Sequence, residues 1–237
     1  MEPSFVSPAV PDSPRGTTAL MGDALRRPGG RRALSVLSVV LFIAGVAMFA
    51  YPVGTDVYSR YRQNQLNNAF ADPSLQEKYV NRTVEVGDVL TRLQIPKKGI
   101  DIDVLVVEGT TPAALRAGAG HYPGTPLPGE PGNVGIAGHR TTFGRPFNHI
   151  DEMTAGDIVY LITPFKKYTY VVVPAFDSHP NPWVVSPQDY SVVQNVPGKS
   201  LLTLTSCHPK GSAKQRIVLR LELQPKLTED LLQKGAA

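Results

Sequence analysis

The chain has one cysteine, Cys207, and one tryptophan in 237 residues. A lone thiol cannot close a disulfide within its own chain, so Cys207 is either a small buried side chain or a reactive group. Aromatic residues are few, at 8%, and no block of Lys and Arg interleaved with aromatics occurs. That absence argues against a nucleic-acid partner despite a formal charge of +4. There is no Cys-x-x-Cys or His-x-x-x-His pair, so a zinc site built on Cys207 and His208 has no partner motif. Internal repeats and low-complexity runs are also missing from the main domain.

Charge is unevenly placed. Five arginines (Arg15, Arg26, Arg27, Arg31 and Arg32) face three acids in the first 32 positions, and the rest of the chain is nearly neutral. Residues 1–30 are rich in Pro, Ser, Gly and Arg with little periodic apolar content, which predicts a disordered cytoplasmic tail. From Ala33 to Tyr51 the chain carries no charge, and about 20 apolar residues suffice for a helix to cross a bilayer. The run is longer than the apolar part of a secretory signal, and its end, Ala47-Met48-Phe49-Ala50-Tyr51-Pro52, offers a poor small-x-small cleavage site. A single-pass transmembrane anchor over 31–52 is therefore expected. The arginines before it predict a cytoplasmic N-terminus and an extracellular domain at the plasma membrane. Residues 53–83 read as a juxtamembrane helix or spacer, broken at Asp72-Pro73.

Beyond about Val84 the pattern becomes short apolar runs punctuated by Gly and Pro, and the chain's 22 Pro and 21 Gly fit an all-β domain. Strands are predicted at 89–95, 100–107, 133–138, 157–162, 168–176, 190–193, 201–206 and 216–223. Short helices are expected at 111–117 and 147–153, and a loop at 122–132. Residues 226–237 read as a C-terminal tail. Period-2 alternation then sorts faces. Ile217, Leu219, Leu221 and Leu223 form one apolar face, with Arg216 opposite. Leu202 and Leu204 face inward, leaving Thr203, Thr205 and Cys207 on the other side. Val134 and Ile136 do the same for Gly135, Ala137 and His139, where small Gly135 and Ala137 leave room for a substrate backbone. The His208-Pro209-Lys210-Gly211 turn brings Arg216 back beside Cys207.

Cys207, His139 and Arg216 thus all fall on faces turned away from the core, though nothing local links His139 to the thiol as the turn links Arg216. A thiol beside an imidazole has its acid/base partner. An Arg there stabilises an oxyanion or clamps the substrate backbone. The alternatives are a bystander thiol, a satisfied polar histidine and a surface arginine, with His121, His149, His179 and His208 as competitors for the base.

Together these residues resemble a sortase, a membrane-anchored cysteine transpeptidase of Gram-positive bacteria. The family's Thr-Leu-x-Thr-Cys signature with a later Arg is matched by Thr203-Leu204-Thr205-Ser206-Cys207 and Arg216, with Ser206 in place of the usual Thr. The family histidine falls on His139 within Gly138-His139-Arg140. The runs His121 to Gly129, His139 to Gly144 and Cys207-His208-Pro209 are most similar to class E enzymes of actinobacteria. The resemblance implies an eight-stranded sortase-type β-barrel with short helices. It implies cleavage of an LAXTG- or LPXTG-like sorting signal between Thr and Gly, and transfer of the Thr to a peptidoglycan precursor amine. It assigns Cys207 as nucleophile, His139 as acid and base, and Arg216 as oxyanion or backbone clamp. Tyr122, Thr205 and Ser206 are weaker substrate-binding candidates, Tyr122 equally well read as plain packing. No cofactor or metal is implied, and Asp151-Glu152 is too sparse for calcium. An L,D-transpeptidase would carry a Ser-His-Gly-Cys signature, which is absent. A membrane-tethered surface-binding domain with an inert Cys207 is the rival from another class.

Overall fold

The computed structural model describes residues 28–234 and divides into two compact units, 1–50 and 51–237. Helix α1 (Pro28–Phe70) supplies the described part of the first unit and opens the second. Its apolar part is long enough to cross a membrane, and its side chains there are exposed, as a lipid-facing anchor requires. The tail expected over residues 1–30 lies outside the described residues, apart from 28–30, which begin α1.

In the second unit, α1 ends at Phe70 and α2 (Ser74–Asn81) follows, separated at Asp72-Pro73, where Pro73 cannot donate to a continuing helix. Strands then run β1 (Val89–Ile95), β2 (Ile102–Glu108), helix α3 (Pro112–Ala117), β3 (Ala119–His121), β4 (Gly132–Ala137), β5 (Ile158–Ile162) and β6 (Lys166–Val172). A two-stranded hairpin, β7 (Ala175–Phe176) and β8 (His179–Pro180), precedes β9 (Trp183–Val185), β10 (Ser200–His208), β11 (Gln215–Leu223) and β12 (Glu229–Asp230). The order β6-β5-β1-β2-β3-β4-β10-β11, with β11 pairing back to β6, closes an eight-stranded barrel, as expected. Closure leaves β9 and β12 to pair at its margin. Within the stretch expected as a tail, β12 pairs with Lys166 and Lys167 of β6.

The barrel interior holds the predicted apolar faces: Val134, Ile136, Leu202, Leu204, Ile217, Leu219 and Leu221 share one core with Leu93, Val106 and Tyr170. β2 is apolar on both sides. Val104 and Val106 face the barrel, while Leu105 and Val107 join Leu66 of α1 and Leu75 of α2 in a second cluster. Gln63 fixes α1 to that flank: its amide donates to the Ala117 carbonyl at 2.7 Å and its oxygen accepts from the Leu105 N–H at 2.7 Å.

Several expectations need correction. The strand expected over 168–176 stops at Val172 and resumes only as β7, with Pro174 between, and of the helix expected at 147–153 only 150–152 is helical, as a 3-10 turn. Residues 190–193 form a 3-10 turn and not a strand, because Asp189 caps it by accepting from the Ser191 N–H at 3.1 Å, after a turn closed from Ser186 to Asp189. The space above Gly135 is not left for a substrate: a Cβ there would lie 2.9 Å from the Tyr122 ring and 3.0 Å from Val193. Gly135 is glycine because two side chains close over it.

Candidate active site

β10 runs antiparallel to β11, and in that register Cys207 is the direct partner of Arg216. It also runs parallel to β4, with Thr205 opposite Ala137. The Gly138 N–H continues the ladder to the Thr205 carbonyl at 3.1 Å, so His139 leaves β4 level with the end of β10. Ser206 ties the same junction from the other side, its hydroxyl donating to the Gly138 carbonyl at 2.7 Å. The hydroxyl at position 206 therefore anchors the backbone that carries His139.

Cys207, His139 and Arg216 line one cavity of about 210 Å³ together with Tyr122, Thr205 and Ser206. All six residues singled out in the sequence meet there. The thiol is partly exposed within this cavity and is not sealed in the core. The competing histidines go elsewhere. His121 bonds Glu108 at 2.6 Å, His149 bonds Glu152 at 2.6 Å, and His179 stacks on Trp183. His208 pairs in register with Gln215 and does not line the cavity. Among the described residues, no carboxylate hydrogen-bonds His139, so no acid completes a triad.

The electrostatics favour neutral imidazole at His139. Burial, with Arg116 as a second and smaller cause, holds it below the usual histidine range. Arg116 reaches this position because Thr111 caps α3, accepting from the Ala114 N–H at 3.3 Å, with Pro112 in the first turn. Tyr122 both lines the cavity and packs over Gly135, its hydroxyl 2.9 Å from Thr205 Oγ1. Burial raises its phenol above the ordinary value. Arg216 donates through Nη1 to the carbonyls of Ala213 and Gln215 at 3.0 and 2.9 Å. Both bonds use one nitrogen, and a guanidinium has further N–H groups for a substrate oxygen.

Sequence reasoning missed several members of the site. Thr110 and Leu115 enter from the α3 region, Tyr190 from the segment misread as a strand, and Pro187 from the turn just before it. Arg140 was quoted without a role. It is 2% exposed, donates from Nε to the Asn148 carbonyl at 2.8 Å and pairs with Asp151 at 2.8 Å. Its Nη1 reaches the Cys207 carbonyl at 3.5 Å, so it braces the His139 loop against β10. Buried charge with three partners at a strand end was the signal available only in three dimensions.

Residues 93–224 match the family model described as the sortase domain. Sortase SrtE1 of Streptomyces coelicolor is 29% identical over 213 residues, covering 82% of this chain and 58% of that protein. The chain thus spans less than two thirds of that curated relative's length. Among solved structures, the SrtF sortase from Corynebacterium diphtheriae aligns with a TM-score of 0.56 and 29% identity, covering 62% of this chain and 89% of that one. Sortase E1 from Streptomyces coelicolor, solved with a tripeptide in its active site, aligns with a TM-score of 0.53 and 30% identity, covering 61% and 92%.

Proposed function

The chain belongs to the sortase family, and from that premise we propose that it is a cysteine transpeptidase acting on a C-terminal sorting signal of the LAXTG or LPXTG kind. The observation that carries this reading is the shared cavity of Cys207, His139 and Arg216, with the thiol and the guanidinium on register partners. The solved relative with a tripeptide in its active site supports a peptide as the ligand.

The Cys207 thiolate attacks the Thr carbonyl carbon, forming a C–S bond, and the carbonyl oxygen takes up the displaced electron pair near Arg216. Collapse of that intermediate breaks the Thr–Gly C–N bond, and the departing Gly amine takes a proton from imidazolium His139. An amine then attacks the thioester, gives its proton to neutral His139 and releases the thiolate. The depressed basicity of His139 favours the form this second half requires. We assign the acceptor to a peptidoglycan precursor amine. The arginines ahead of the apolar run 33–51 support a catalytic domain outside the plasma membrane.

The test uses the full chain in detergent micelles, mixed with LAXTG and LPXTG peptides and triglycine, with products followed by mass spectrometry. An acyl-enzyme on Cys207 and a triglycine adduct are expected with at least one peptide. The reading is falsified if folded protein yields neither.

A further inference from the structure

His139 lines two cavities. Beside the Cys207 cavity lies a second one of about 730 Å³, and the two share His139, Thr110 and Leu115. Cys207, Arg216 and Tyr122 line only the smaller one. Aromatic and aliphatic side chains dominate the larger, Tyr58 and Phe143 among them, with Arg116 as its charged group and, among the described residues, no carboxylate in its wall.

Acyl transfer defines two sides of the scissile bond. The acyl side stays on Cys207, in the smaller cavity. The leaving amine takes its proton from His139 and the incoming amine surrenders one to it, so by microscopic reversibility both occupy one place against that imidazole. We propose that the 730 Å³ cavity is that amine-side site, holding first the residues after the scissile bond and then a short peptide amine. This inference rests on the transpeptidase reading and adds where its second substrate binds. The wall's chemistry fits the role: Arg116, with no carboxylate beside it, disfavours a resident ammonium and so favours the neutral amine that attacks.

The wall nearest His139 is also held in a set shape. Phe143, Gly144 and Arg145 all have positive φ, at 52°, 76° and 50°, a costly conformation for the two that carry side chains. Asp56 of α1 holds this turn, accepting from the Gly144 N–H at 3.0 Å and pairing with Arg145 at 3.1 Å. The Phe143 ring then sits 5.0 Å from the His139 ring and edge-on to Tyr58 at 6.3 Å. The juxtamembrane end of α1 is in this way part of the site and not a tether alone.

Gly54 supplies the test. It lines the larger cavity from α1, and a Cβ built there meets nothing within 4 Å. Gly54→Trp fills the cavity while improving helix propensity, so lost transfer cannot be ascribed to a weakened helix. In full-length protein in detergent, the acyl-enzyme formed from a sorting peptide is partitioned between triglycine and hydroxylamine. The variant is expected to raise the KM for triglycine by about tenfold or more, with a smaller loss for hydroxylamine, which needs little of the cavity. Tyr58→Ala, which removes part of the wall, is expected to shift selectivity in the same direction. Equal losses for both nucleophiles, or none, overturn the amine-side site while leaving the transpeptidase reading standing. Failure of wild type to form any acyl-enzyme overturns that reading and this site with it.

Discussion

The two faces of β10 and β11 are equally buried and differ in chemistry. Toward the barrel axis, Leu202, Leu204, Leu219 and Leu221 are all 0% exposed. Toward the outside, Thr203 and Arg220 are also sealed, under β9 and the 190–193 turn. The inner face is held by packing alone. The outer face adds directed bonds to the apolar packing of Val218 against Trp183 and Val192: Thr203 donates to Asn133 at 2.6 Å, and both Asn133 and Arg220 donate to the Val192 carbonyl. Arg220 additionally lies over the rings of Phe176 and Trp183. The catalytic candidates therefore do not stand on a solvent-facing surface. They stand where a second, polar interior opens at the ends of its strands, and that interior fixes the turn that brings Tyr190 to the cavity rim.

The largest separation of the two faces comes at that open end. Cys207→Ala is expected to abolish acyl-enzyme formation and peptide transfer completely, read by mass spectrometry, while the melting temperature stays within a few degrees of wild type. A large drop in stability with residual transfer would make Cys207 a packing residue. On the inner face the pattern reverses. Leu204→Ala should cost about 2–5 kcal/mol, the range for truncating a fully buried leucine, measured by thermal or denaturant unfolding. Whatever activity survives in the folded fraction should keep the wild-type KM. If Leu204→Ala altered KM at unchanged stability, the division between packing face and chemical face would be wrong.

How much of this was legible in the sequence follows the same division. Period-2 alternation identified the apolar face of all three central strands, because packing depends on a pattern one strand carries by itself. The Cys207–Arg216 pairing was legible because a short turn links the two strands. His139 was placed only through family resemblance, since nothing local ties β4 to β10 across 68 residues from position 139 to 207. What covers the polar face was not legible. Alternation says that Thr203 and Arg220 point away from the core, but not that Trp183, Phe176 and the 190–193 turn close over them. The apolar Val192 and Val193 looked like a strand for the same reason: their partners lie on elements distant in sequence. The small β3 was missed because three residues, Ala119 to His121, carry no periodic signal.

A finer test asks what Ser206 does between the two interiors. Its hydroxyl is buried and its one bond goes to the Gly138 carbonyl, the residue before His139. Ser206→Ala leaves that carbonyl without this donor and should cost about 1–2 kcal/mol. The effect on turnover should be larger than on KM, because the bond holds the imidazole's backbone and not the substrate. Ser206→Thr restores the hydroxyl and the family's usual residue, and should recover most of both. Equal loss in the Thr and Ala variants would show that volume at position 206 matters and the bond to Gly138 does not.

The smallest expected effect is the most specific to a polar interior. Burial and Arg116 hold His139 below the ordinary histidine value in the folded protein, so between its folded and unfolded values the unfolded chain binds more protons. Stability must then rise with pH across that window and level off above about pH 6.5. The sign is opposite to that of a histidine gaining a carboxylate partner, which would add stability at low pH and lose it on the way up. His139→Gln removes this contribution, so the wild type should gain on the variant between pH 5 and 7, followed by melting temperature in detergent. A histidine exposed to water would give two parallel curves. A gain at low pH instead would mean that an acid does face His139, and would make the missing third member of the site the next residue to find.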